Sequence, residues 1–204
     1  MENGTEPVYS HNVIEFVAVA NEYCKYAEHA SELKGDEMLR IMQRIMPLMY
    51  LKASLLPALE PVFDDGNEKF VTETDWQRIH DNLRQKLGTA NDFTAEVSDV
   101  LDDSGIPVPV TLSENISDIY QDMKDFILLY QTGTKEVMND AIWECRMNFE
   151  TLWGPKLINS LKAIHSFLYS GKDIEDADKK NDKEEARDKD EWFISKRQKD
   201  FRGD

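Results

Sequence analysis

Little in this sequence supplies the material of common catalytic and metal sites, and each shortage excludes something. Among 204 residues there are two cysteines, Cys24 and Cys145, and they form no Cys-x-x-Cys pair. A paired-cysteine redox or zinc centre is therefore missing. Each thiol lies inside an apolar helical pattern and reads as a small buried hydrophobe in a reducing compartment. The residues three before His11, His29, His80 and His165 are Val8, Tyr26, Gln77 and Lys162, so the Glu-x-x-His pairs of helical di-iron sites do not occur. The patterns G-x-G-x-x-G, G-x-x-x-x-G-K-S/T, H-E-x-x-H and G-x-S-x-G are also lacking, which removes the common nucleotide and hydrolase sites. No cofactor and no metal is expected.

Long apolar runs are lacking too. The longest uncharged apolar runs, such as Ile45 to Leu51, are far too short to cross a bilayer, and no membrane role is expected. The opening MENGTEPVYSHN has neither the positive region nor the apolar block of a secretory signal, which points to a cytoplasmic protein. Basic residues are outnumbered: Lys+Arg 24 against Asp+Glu 40 gives a net charge of −16. Such a field repels phosphate backbones and favours cationic or apolar partners, so no nucleic-acid partner is expected.

What the sequence has is helical periodicity. Val13, Val17, Ala20, Cys24 and Ala27 recur every three or four positions and predict a helix from Ser10 to about Ala30. Asp36 is placed to cap a second helix carrying Met38, Met42, Ile45 and Met49, kinked at Pro47 and closed by Pro57 and Pro61. Thr74 with Gln77 forms a capping box ahead of Trp76, Ile79, Leu83 and Leu87, and Gly88 ends that helix. From Thr89 to Leu112 the pattern weakens to a short helix near Phe93, Val97, Val100 and Leu101, followed by the extended IPVPV connection. The clearest face runs from Ser113 through Ile116, Ile119, Tyr120, Met123, Ile127 and Tyr130. After Gly133 come Met138, Ile142, Cys145, Phe149 and Leu152, and after Gly154 come Leu157, Leu161, Ile164 and Leu168. Short turns between these three helices argue for an antiparallel bundle of about six helices, and the absence of alternating strand patterns makes the class all-α. Residues 1–171 form the bundle domain. Residues 172–204 form a tail with 22 charged positions, helical or disordered, in which Trp192, Phe193 and Ile194 are placed to dock. The terminal Arg202-Gly203-Asp204 matches a cell-adhesion tripeptide and reads as chance.

The candidate polar site lies in the best-patterned stretch. Asp118, Asp122 and Asp125 share one helical face beside Tyr120 and Lys124, and like carboxylates so close need a cation, a metal or water to screen them. A solvated outer stripe is the simpler reading. Trp143, Arg146, Glu150 and Trp153 make a second stripe, suited to clamping a ligand or, more simply, to a helix–helix contact whose charges pair across the interface. His165 shares a face with Ile158 and Leu161 and reads as a hydrogen-bonded core residue, with a ligand or general-base role as the alternative. Glu96-x-x-Asp99 and Asp122-x-x-Asp125 imitate the acidic pairs of helical magnesium-dependent nucleotide pyrophosphatases. With 40 acids in the chain, roughly eight such pairs arise by chance.

Four blocks resemble a known family: EFVAVANEYCKYAE, IMPLMYLKASLLP, SENISDIYQDMKDFILLYQTG and NDAIWECRMNFETLWGPKLINSLKAIH. In this order they are similar to the bacterial family catalogued as domain of unknown function 5063, over about Val13 to His165. Asp118-x-Tyr120-x-Asp122 and Trp153-Gly154 are the most specific part. The resemblance implies an all-helical, single-domain cytoplasmic protein and no particular activity. The expected function is that of a non-enzymatic interaction or regulatory protein presenting an acidic helical face or groove to a protein or small-molecule partner. The alternative is a ligand- or metal-dependent enzyme whose pocket gathers Asp118, Asp122, Arg146, Glu150 and His165.

Overall fold

The computed structural model describes residues 6–96 and 111–174. Six α-helices account for most of them: α1 His11–Glu28, α2 Gly35–Ala53, α3 Glu73–Leu87, α4 Leu112–Tyr130, α5 Lys135–Thr151 and α6 Trp153–Leu168. Short 3-10 turns at Pro7–Tyr9, Ala30–Glu32 and Gly88–Glu96 join or precede them, and the described residues contain no strand. The IPVPV connection, Asp99 and the tail beyond Ile174, with its terminal tripeptide, lie outside the described residues.

The starts of three helices differ from the sequence reading, each for a local reason. The box that opens α3 is Thr72 with Asp75, not Thr74 with Gln77: the Thr72 hydroxyl oxygen accepts from the Asp75 amide, and the Asp75 carboxylate accepts from the Thr72 amide. Aspartate at the third position closes the same ring of bonds that glutamate usually closes. The box that opens α4 is Thr111 with Glu114, two residues ahead of Ser113. Lys34, not Asp36, precedes α2, and Asp36 and Glu37 occupy its first turn, where negative charge favours the exposed amide ends. The helix runs on through Pro47, whose ring lies on the exposed side. On the opposite side Met38, Met42, Met46 and Met49 are fully buried, and this packing outweighs the hydrogen bond that proline cannot donate.

At the centre stands α4, packed against α1, α3, α5 and α6. Ile116, Ile119 and Met123 are fully buried there, and so are the polar Ser113 and Ser117. Because neighbours surround it, none of its residues is fully exposed, and its polar side chains are buried or half-buried. The joint between α5 and α6 falls at exposed Leu152, so Trp153 begins α6 instead of continuing the stripe of Arg146 and Glu150. Trp153 is fully buried against Phe16 and Phe149, at ring distances of 6.2 and 4.8 Å, and its indole N–H donates to the Cys145 carbonyl. Covering an indole this completely contributes at most about 5 kcal/mol. Gly154 follows because nothing larger fits: a Cβ there would stand 2.1 Å from the Phe149 carbonyl oxygen.

Candidate functional site

The acidic face of α4 is an internal seam, which overturns the reading of a solvated outer stripe. Asp118 is half-buried between α3 and α6, where the Trp76 indole N–H donates to Oδ1 at 2.9 Å and Lys156 Nζ donates to Oδ2. Trp76 itself stacks on His80, with ring centroids 5.0 Å apart. One turn along, Asp122 Oδ1 accepts from Asn148 Nδ2 of α5 at 2.9 Å. Burial raises the Asp122 carboxyl to about 6, against the lowering effects of Asn148, Lys69 and Lys156. Asp125 is buried and accepts the backbone N–H groups of Phe70 and Val71 through Oδ1.

Asp140 of α5, which the sequence reading did not single out, does the same work further along. It is buried, and its two oxygens take the N–H groups of Val62 and Phe63 at 2.7 and 2.8 Å. Asn67 donates to the Asp140 carbonyl and to Glu144, which also holds Lys69 at 2.8 Å. Two aspartates thus supply the acceptors that the irregular segment 57–72 lacks within itself, so this segment lies fixed across α4 and α5.

The remaining predicted residues meet other neighbours. Tyr120 points to α1, where its hydroxyl donates to Glu28 at 3.0 Å beside Lys124, which pairs with the same carboxylate. Burial and Glu28 both push the Tyr120 hydroxyl upward from its ordinary range. Arg146 pairs with Glu150 on its own helix rather than across an interface, and donates to the Leu56 carbonyl at 2.9 Å beyond the end of α2. Trp153 belongs to the core. His165 is exposed and touches the Tyr169 ring, so it is not the core histidine the pattern implied. Asp118 and Asp122 thus lie one turn apart on the seam, both near Lys156, whereas Arg146, Glu150 and His165 meet other neighbours. Among the described residues no group of three or more His, Cys, Asp or Glu side chains is placed to hold a metal ion, and of the pyrophosphatase-like pairs Asp99 and the Glu96 side chain lie outside them. No described helix is long and apolar enough to cross a membrane.

A concave surface does occur elsewhere, between α1 and α2. Val19, Tyr26, Ile41, Ile45 and Leu48 line an open trough of about 420 Å³, with Glu22 and Arg44 on its rim. Ala18 lies at its mouth. Steps of three and four carry the same outer face onward to Leu51 on α2 and to Ile14 on α1, each 53% exposed, and exposed Leu55 follows just beyond the end of α2. The sequence holds this signal as apolar residues at 14, 18, 48, 51 and 55, away from the inward stripes.

These features define an all-helical bundle with an internal acidic seam and an apolar outer trough. The chain belongs to the family described as domain of unknown function (DUF5063), whose model matches residues 7–170. It is similar to protein BF1032 from Bacteroides fragilis, known from a crystal structure, at 39% sequence identity and a TM-score of 0.73. The match covers 82% of this chain and 98% of that one. No curated protein matches the chain.

Proposed function

We propose that this protein works by association, taking an amphipathic protein segment into the trough between α1 and α2. The observation that carries this reading is the trough itself: an apolar concavity, edged by one acid and one base, that continues into exposed Ile14, Leu51 and Leu55. Contiguous apolar surface of this kind marks binding sites because leaving it in water is unfavourable. The acidic seam supports the same conclusion from the other side. Asp118, Asp125 and Asp140 receive charged or backbone donors from within the fold, so their charges are used in holding helices and the 57–72 segment together, while Asp122 is engaged by Asn148. The bundle carries a net charge of −14 over residues 1–171, which favours a segment with basic flanks.

A photoreactive benzoylphenylalanine at exposed position 48 of the full chain, irradiated in native extract, tests this. The expected result is a discrete adduct that disappears when Ala18→Glu places a charge at the trough's mouth. Adducts that persist unchanged in that variant, or none at all, contradict the reading.

A further inference from the structure

We infer that the partner taken into the trough is a second copy of this chain: two α1–α2 hairpins close face to face about a two-fold axis running along the trough. The inference rests on the trough being a docking surface and adds which partner fits it. Its basis is that the face is complementary to itself. Joined by the short turn at Ala30–Glu32, α1 and α2 run antiparallel, with Lys52 held by Glu15 at 2.7 Å and Asn12 donating to the Leu55 carbonyl at 3.2 Å. Counted from those two contacts, Ile14 lies level with Leu51 and Leu55, Ala18 with Leu48, and Glu22 with Arg44. The proposed axis lays α1 of each copy antiparallel over α2 of the other, so residues level with each other across the trough also meet across the interface. Ile14 then meets Leu51 and Leu55, exposed Leu48 covers the small Ala18, and Glu22 meets Arg44, each contact occurring twice. Apolar groups face apolar groups, a large side chain faces a small one, and an acid faces a base.

Charge and size agree. Two copies of a chain carrying −14 over residues 1–171 repel one another, and approach through a near-neutral face costs least. This face is near neutral: Glu15, Glu22 and Glu28 against Lys25 on α1, and Asp36 and Glu37 against Arg40, Arg44 and Lys52 on α2, leave a net of −1. The four helices enclose Val19, Ile45 and Leu48 of both copies, as paired apolar hairpins do in an antiparallel four-helix bundle. The 18 residues of α1 extend about 27 Å, and two helices each about 10 Å wide give a footprint of roughly 500 Å² on each copy. That is the small end of specific interfaces, so the pair is expected to part on dilution.

Glu22 and Arg44 are exposed, so the pairing can be tested by exchanging their charges. In size-exclusion chromatography with light scattering, the purified full chain should show the mass of two chains when concentrated, falling towards one on dilution. Glu22→Arg and Arg44→Glu each set like charges against each other twice, and each should weaken self-association about tenfold or more. An equimolar mixture of the two variants places every exchanged charge opposite its counterpart and should restore the two-chain mass, which unfolded variants could not do. A single-chain mass for the unaltered protein at every concentration overturns the inference. So do variants that associate as well as the unaltered chain, or a mixture that associates no better than its separate components. If the purified chain stays single while position 48 forms adducts in native extract that Ala18→Glu abolishes, a second copy is excluded and the docking role of the trough stands; if those adducts are absent as well, both readings fall.

Discussion

Asp122 is the residue at which the fold's use of charge can be measured. Its carboxyl titrates near 3.8 in the unfolded chain and about 6 when folded, mainly because burial disfavours the anion. Between those values the folded state holds more protons than the unfolded one, so stability falls as pH rises through the window, and the cost is fully present above about 6. Asp122→Asn, which keeps an acceptor for Asn148, is expected to stabilise the protein at pH 7.5 by on the order of 2 kcal/mol and to confer no advantage near pH 3.5. Urea unfolding midpoints at the two pH values check both the sign and the window. Burial also pushes the Cys24 and Cys145 thiols well upward. Neither should react with a disulfide reagent in the native protein, and both should react once it is unfolded; a thiol count by absorbance decides. The sequence made these cysteines legible because apolar periodicity places a side chain directly. It left the acids illegible, because three carboxylates on one face look alike whether the face meets water or another helix.

Within elements, the existence and order of the helices could be read from spacing, whereas their starts could not. The first buried residue fixes which face turns inward, but several Thr and Asp residues ahead of it compete for the cap, as Thr72 and Thr74 do before α3. The capping bonds distinguish them. Thr111→Ala is expected to cost about 1 kcal/mol in thermal or urea unfolding, and Thr72→Ala a similar amount, while Thr74→Ala should be near neutral. For α2 the expectation is a gain. Pro47 is exposed and interrupts the backbone ladder, so Pro47→Ala should stabilise by roughly 1–3 kcal/mol and raise Tm by several degrees. A fall in Tm would show that the ring's effect on the helix path matters more than the missing bond.

For the whole molecule, the all-α class followed from apolar spacing, and the DUF5063 match over residues 7–170 agrees with the resemblance carried by the sequence blocks. The spatial arrangement was not legible: that α4 is the central helix depends on which faces meet, and no single helix records this. The seam therefore went unrecognised as internal, and the trough stayed hidden because it needs α1 and α2 side by side. Once the helices are assembled, a division of labour follows: Asp118, Asp125 and Asp140 tie helices and the 57–72 segment together, and the apolar outer face of α1 and α2 is the surface proposed for docking. The most direct test is the yield of the position-48 photoadduct in native extract from two chains of matched stability, one carrying Asp118→Asn and the other Ala18→Glu. Adduct retained with Asp118→Asn and lost with Ala18→Glu is the expected result; adduct lost with Asp118→Asn and retained with Ala18→Glu would place the binding surface on the acidic seam instead.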